Sequence, residues 1–157
     1  MPVLDLLDLP AVLPAYTPIL GLDLGEKTIG VAVSDATRTI ASALELIRKT
    51  KFTEEAARLF ALMQGRDASG VIIGLPVNMD ATEGPRCQSV RAFARNLLRL
   101  NPDIAIAFWD ERWSTQAVQR LMTDEADLSR ARRAELVDKM AAAYILQGAL
   151  DRLGYAA

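Results

Sequence analysis

Three short β-type runs follow one another in the first third of the chain, and they constrain the fold more than any other feature of the sequence. They cover residues 19–25, 29–34 and 40–47, and polar or glycine-containing turns separate them. Strands joined by such short turns pair as antiparallel neighbours, because a parallel pair needs a crossover of a dozen or more residues. The pattern therefore predicts an antiparallel meander.

The remainder of the chain alternates between helical and strand patterns. Thr53–Met63 has a helical period and opens with a capping residue type and two acids. The strand pattern Val71–Leu75 leads to Pro85, where a helix can begin, and a further strand pattern covers Ile104–Trp109. A long helix is predicted for Ala131–Leu153. Together these patterns predict an α/β fold with a mixed five-stranded sheet, an antiparallel meander followed by parallel strands, and flanking helices.

The first 18 residues differ from the rest because they hold four prolines among leucine and alanine. Proline interrupts helices and central strands, so residues 1–18 are predicted to form an extended arm packed on a single domain of residues 19–157. A chain of 157 residues suits one domain. Between the last strand and the long helix, Ser114 or Thr115 can cap a further helix, and Thr123–Ser129 has the composition of a loop.

Composition limits the chemistry, because the chain contains no histidine and a single cysteine, Cys87. Ser-His-Asp and Cys-His relays and histidine-ligated zinc are excluded, which leaves carboxylates, hydroxyls, lysine and arginine. The balance of 18 basic and 20 acidic residues gives no overall attraction to nucleic acid, so such a role depends on local charge. The chain shows no secretory signal or bilayer-spanning run, and we expect a cytoplasmic protein that does not bind membranes.

Two acids stand where apolar residues are expected. Asp23 interrupts the apolar run of the first strand, and Asp138 lies on the apolar stripe of the long helix, where mostly small residues allow close approach to the sheet. A buried carboxylate is costly unless it is paired or binds a metal. Asp23 is otherwise explained as a turn residue bonded to backbone N–H groups. Asp138 is otherwise explained by the helix dipole or by a pair with Lys139 or Arg133.

A third acidic position ends a later strand, at Asp110 and Glu111. Strand alternation sends these two side chains to opposite faces, so only one can enter a shared site, and Arg112 can pair with either. Acids at the ends of two strands and on the last helix suit divalent metal binding, because Mg²⁺ prefers carboxylates, waters and phosphate oxygens. Two such ions can activate water and stabilise the leaving oxygen in phosphodiester cleavage.

The helix after Pro85 has a basic stripe that would suit a phosphate-bearing substrate. No acid occurs between Gly84 and Pro102. A solvated helix face explains any one arginine equally well. Asn78, in the loop before the helix, can also contact phosphate or metal. The predicted nucleic-acid contacts are Arg86, Arg91, Arg95, Arg99, Arg112 and Asn78.

Four regions of the chain together resemble the YqgF family, also called RuvX, over about residues 18–153. The resemblance is carried by Gly21-Leu-Asp-Leu-Gly25 with Ile29-Gly-Val-Ala-Val-Ser-Asp35, by Gly74-Leu-Pro-Val-Asn-Met-Asp80, by Asp110-Glu-Arg-Trp-Ser-Thr115 and by Asp138-Lys-Met-Ala-Ala-Ala143.

The resemblance implies a ribonuclease H-like fold and a metal-dependent nuclease that processes the 5′ end of pre-16S ribosomal RNA during ribosome biogenesis. It assigns catalysis to Asp23, Asp110, Glu111 and Asp138. Of the adjacent pair, Glu111 is favoured as the acid that joins Asp23 and Asp138 at Mg²⁺ or Mn²⁺. The implied partner is structured nucleic acid, pre-16S rRNA ahead of branched DNA, with a ribosomal particle as a further partner.

Three alternatives stay open at this stage. The first is a Holliday-junction resolvase with the same mechanism, and the second is a non-catalytic RNA-binding assembly factor. Related resolvases have a second acid on the final helix and an acid on the strand before the Gly-Leu-Pro loop, and neither is evident here, although Glu135 lies one turn before Asp138. The sequence therefore leaves open whether the site holds two metal ions. The third is an actin-like ATPase, which the short chain and the lack of a second phosphate loop disfavour. Both a monomer and a homodimer are compatible with the sequence.

Overall fold

The structure is a computed structural model that describes residues 3–78, 80–111 and 130–156, of which residues 130–139 and 155–156 are described by their backbone alone. The helix predicted after Ser114 or Thr115, the loop Thr123–Ser129 and Arg112 all lie outside the described residues. The strands are β1 (Ile19–Leu24), β2 (Thr28–Ser34), β3 (Ala41–Arg48), β4 (Gly70–Leu75) and β5 (Ala105–Asp110). The helices are α1 (Leu9–Val12), α2 (Phe52–Arg66), α3 (Pro85–Leu100) and α4 (Arg130–Ala156), and Leu6–Asp8 forms a 3₁₀ turn before α1.

The five strands form one mixed sheet in the order β3-β2-β1-β4-β5. β1 pairs antiparallel with β2, and β2 with β3, which confirms the predicted meander. β4 lies parallel to β1, and β5 parallel to β4. The carboxyl ends of β1, β4 and β5 therefore meet at one edge of the sheet, and Asp23 and Asp110 lie at that edge.

The sheet is covered on both faces. Alternate strand residues such as Leu22, Ile73 and Ile106 belong to a core that includes α2 and α3, whereas Ile19 and Ile72 belong to a core that includes α4. The two cores therefore show on which face of the sheet each strand residue lies. None of the helices in the described ranges is long and apolar enough to cross a membrane.

α4 lies unusually close to the middle of the sheet. A Cβ at Gly21 would come within 2.6 Å of Leu146 Cβ and 3.2 Å of the Ala142 carbonyl oxygen. Across the interface, the ring of Trp109 would come within 3.0 Å of a Cβ at Gly148. Gly21 on the sheet and Gly148 on α4 thus permit the close contact. This contact holds α4 in a defined position above β1.

The N-terminal arm is less extended than predicted. Leu6–Asp8 and Leu9–Val12 are helical, because Pro10 occupies the first turn of α1, where its missing N–H is not needed. The Leu4 N–H donates to the Ile106 carbonyl at 2.8 Å, so the arm covers part of the β5 edge. Leu9 is completely buried in the core beneath α4.

Arg38 fastens the other end of the arm to the β2–β3 hairpin. Its backbone is left-handed (φ 59°), and its guanidinium donates to the Pro14 carbonyl at 2.6 Å and to the Thr17 carbonyl at 2.8 Å. The arm is consequently held at both ends by the sheet.

Candidate active site

Asp23 and Glu111 approach each other at the carboxyl edge of the sheet. Asp23 is the penultimate residue of β1 and has the same parity as Ile19 and Gly21, which face α4. Glu111 immediately follows β5. The two carboxyl groups interact through a hydrogen bond and through their charges.

The electrostatics of this pair are those of two acids confined together. Burial and the neighbouring Asp23 carboxylate raise the pKa of Glu111 to about 8, and the charge of Arg86 opposes that rise. In the metal-free protein the pair therefore retains a proton to higher pH than an isolated glutamate would. A divalent cation would relieve the repulsion, and an all-oxygen donor set is the kind that Mg²⁺ and Mn²⁺ prefer.

The space for Glu111 is provided by Gly74 on β4. A Cβ at Gly74 would come within 2.7 Å of Glu111 Oε1, and within 2.6 Å of Ile145 Cδ1 on α4. Glu111 therefore lies over the α4 face of β4, between the sheet and the helix. Sequence reasoning did not assign a role to Gly74, although a glycine inside a strand signals that another group approaches the backbone closely.

Asp110 is oriented differently from its neighbour. It pairs with Leu75 in the β4–β5 register, and it has the parity of Ile106 and Phe108, which pack on the α3 side. Strand alternation therefore indicates that Asp110 lies on the face opposite Glu111. The charge of Asp110 still contributes to raising the pKa of Glu111.

Asp138 lies on α4 one turn before Ala142, whose carbonyl is next to Gly21. Its backbone thus lies toward the Asp23 end of β1, while its side chain is outside the described residues. Ala142, Ile145 and Ala149 of the predicted core-facing stripe are buried. Among the side chains that the structure describes, no group of three potential metal-ligating residues occurs.

The four arginines of α3 differ in what they contact. Arg86, at the start of α3, is exposed, and its charge acts on Glu111. Arg91 donates hydrogen bonds to both Glu83 carboxylate oxygens, at 2.7 and 2.8 Å, and stacks 5.2 Å from the centroid of the Phe108 ring. Arg95 and Arg99 are exposed farther along the helix.

Asn78 is held within the loop between β4 and α3. Its side-chain amide donates to Thr82 Oγ1 at 3.0 Å, and its N–H donates to the Thr82 carbonyl at 2.9 Å. The Thr82 hydroxyl in turn donates to Asp80, and Ala81 is left-handed at φ 72°. These contacts give the loop a defined shape next to the start of α3.

The sheet topology, with its acidic pair at the carboxyl edge, defines a protein of the ribonuclease H-like fold. Among solved structures, the chain is similar to Thermus thermophilus RuvC in complex with a Holliday junction, with a TM-score of 0.54 and 13% identity over 88% of this chain and 97% of that one. At this identity the likeness concerns the fold.

Sequence comparison identifies the family. The profile of RuvX, described as Holliday junction resolvase, matches residues 17–152, and the chain belongs to this family, as its motifs predicted. It is 72% identical to a Phenylobacterium zucineum protein (98% of each chain covered) and 66% identical to one from Caulobacter sp. strain K31 (98% of this chain, 93% of that one). Both relatives carry the name "Putative pre-16S rRNA nuclease".

Proposed function

We propose that the protein is a divalent-metal-dependent endonuclease that processes the 5′ end of pre-16S ribosomal RNA in the cytoplasm. The observation that carries the proposal is the confinement of Asp23 and Glu111 in one site, with the charge of Arg86 acting on the same group. The names of the relatives favour RNA as the substrate. Family membership supports a phosphodiester hydrolase in either case.

Asp23, Glu111 and Asp138 are the proposed ligands for Mg²⁺ or Mn²⁺. When bound, the ion would lower the pKa of an attacking water and neutralise charge on the phosphate oxygens. Both carboxylates would have to be deprotonated to act as ligands, and the charge of the ion would oppose the rise in the pKa of Glu111 that burial and Asp23 cause. Asp110, on the opposite face, contributes negative charge to the site without facing α4.

Arg86 is the proposed first contact for the substrate phosphate, since it is the arginine whose charge reaches Glu111. Arg95 and Arg99 are exposed and extend the basic surface along α3. Arg91 is already engaged by Glu83 and Phe108, so we assign it to stabilising the loop that holds Asn78. Arg112 remains a further proposed contact.

A Holliday junction is the second candidate substrate. The family description and the fold shared with RuvC favour it, and the proposed chemistry at Asp23 and Glu111 is the same for both substrates. Resolution of a junction needs two paired active sites, so it would require a dimer, whereas RNA processing can be performed by a monomer.

The test is cleavage of a 5′-extended pre-16S RNA fragment, free and within a ribosomal particle, with a four-way DNA junction in parallel. Mg²⁺ or Mn²⁺ should be required, and Asp23→Asn, Glu111→Gln and Asp138→Asn should each abolish cleavage. Asp103→Asn, an exposed acid before β5, is the matched control and should cleave normally. Junction cleavage alone would replace the RNA assignment by the resolvase. Binding without any cleavage would favour an assembly factor.

A further inference from the structure

A surface hollow lies on the other side of the carboxyl end of β1 from the acidic pair. It is bounded by the β1–β2 turn, by the residue that follows β3 and by the first three turns of α3. Gly25, Glu26, Lys49 and Arg86 form its polar rim. Val90 and Phe93 are part of its apolar floor, and no function has been assigned so far to the hollow as a whole.

The hollow is within one nucleotide's reach of the acidic pair. Asp23 and Gly25 are two residues apart, so their Cα atoms are separated by at most about 7 Å. Asp23 faces α4, whereas the adjacent Leu24 packs on the α3 side and lines the hollow. Arg86 links the two places, because it lines the hollow while its charge acts on Glu111.

The charges of the rim favour an anion. Within the described ranges, neither Lys49 nor Arg86 takes part in an ion pair, whereas Arg58 and Arg91 are paired with Glu45 and Glu83. Among the residues that line the hollow, two are cations and one, Glu26, is an acid, so the lining itself carries one net positive charge. The acids Asp23, Asp110 and Glu111 do not line it.

The framework of the hollow is well fixed. The Lys49 N–H donates to the Lys27 carbonyl at 2.9 Å, which ties the position of Lys49 to the β1–β2 turn. The Phe93 ring packs edge-on against Phe52, with centroids 5.3 Å apart and planes at 87°. The floor offers apolar surface, so Lys49 and Arg86 are the groups suited to a phosphate.

We propose that this hollow binds the backbone phosphate of a nucleotide next to the one that is cleaved, with Lys49 and Arg86 as its ligands. The inference rests on the proposed function, because it takes the acidic pair as the place of cleavage. An RNA strand that crosses the carboxyl edge of the sheet would then contact the acidic pair on one side of β1 and the hollow on the other. Lys49 is the residue newly assigned to substrate binding. The negative charge of Glu26 weakens the attraction of the hollow for the phosphate.

The experiment measures equilibrium binding of a short single-stranded RNA to the full chain with Asp23→Asn, so that cleavage does not interfere. Fluorescence anisotropy is recorded between about 50 and 200 mM salt. Adding Lys49→Gln should weaken binding roughly threefold to tenfold and lower the salt slope by about 0.7, the value for one lost phosphate contact. Glu26→Gln should strengthen binding. Arg66→Gln, which removes an exposed charge at the end of α2, is the control.

The binding and cleavage results together decide whether the hollow binds a backbone phosphate. Equal affinities for the Lys49→Gln and Arg66→Gln variants would overturn the inference, and normal cleavage by the wild type would then leave the nuclease assignment standing. Weaker binding by Lys49→Gln together with no cleavage by the wild type would support the hollow as an RNA phosphate site, but it would reject the nuclease and with it the position of that phosphate next to a cleaved nucleotide. Tight binding of adenosine monophosphate, at the affinity of the RNA, would overturn the inference in favour of a free nucleotide.

Discussion

Gly74 lies directly beneath Glu111, and a Cβ at this glycine would come within 2.7 Å of Glu111 Oε1. Gly74→Ala is therefore expected to displace the carboxylate from Asp23. We expect at least a tenfold loss of metal-dependent cleavage, because misplacement by about 1 Å can cost two orders of magnitude in rate. Gly65→Ala in α2 is the control, since a Cβ there would meet nothing within 4 Å. Full activity of Gly74→Ala would show that cleavage does not require the Glu111 carboxylate to lie directly over residue 74.

Glu111→Gln is predicted to abolish cleavage and yet to stabilise the metal-free protein at high pH. The pKa of Glu111 rises from 4.5 in the unfolded chain to about 8 in the folded protein, so the folded state binds the extra proton. Wild-type stability therefore falls as pH rises from about 4.5 to 8, by an amount on the order of a few kcal/mol.

The neutral amide does not titrate, so the difference in Tm between Glu111→Gln and wild type should grow between pH 5 and pH 8 and then level off. Thermal unfolding in the presence of a chelator measures this difference. Asp103→Asn provides the reference for loss of one exposed acid. A difference that does not change with pH would contradict the raised pKa of Glu111.

Gly21→Ala tests the close approach of α4 to β1. The new methyl group would come within 2.6 Å of Leu146 Cβ, and the helix backbone at Ala142 limits how far the contact can relax. We expect a loss of about 1–3 kcal/mol in the free energy of unfolding. Since α4 carries Asp138, cleavage should also fall in protein that remains folded. Urea unfolding and circular dichroism separate the two effects, and unchanged stability would mean that α4 shifts without cost.

Leu9→Ala and Leu7→Ala form a matched pair in the N-terminal arm. Leu9 is 0% exposed and Leu7 is 50% exposed, although they are two residues apart. Truncation of Leu9 should lower the free energy of unfolding by about 2–4 kcal/mol, and truncation of Leu7 should change it by less than about 0.5 kcal/mol. Equal effects would mean that the arm does not contribute to the core.

The mixed sheet could be predicted because the relative directions of its strands follow from local pattern, whereas the position of β4 beside β1 was not predicted. The short turns between the first three runs require antiparallel pairing, and the helices between later strands require parallel pairing. Asp23 could be identified because it interrupts an apolar run. The bonding of Arg91 could not be predicted, because its partner Glu83 lies eight residues away in a loop.

The N-terminal arm illustrates a second limit of the sequence. Four prolines indicated an extended segment, but proline is also compatible with the first turn of a helix, and only the packing of Leu9 decides between them. The roles of Gly74 and Lys49 likewise could not be predicted from the local sequence. Their importance depends on what β5 and α3 place beside them, which local propensity does not encode.

The contact between Leu4 and Ile106 also constrains the order of events during synthesis on the ribosome. The arm is translated before its partner strand, which appears roughly a hundred residues later; at 5–20 residues per second this is a delay of about 5–20 s. During that interval Leu9 has no completed core to enter. The arm therefore docks late, and a nascent chain stalled before β5 should expose it to proteases and chaperones.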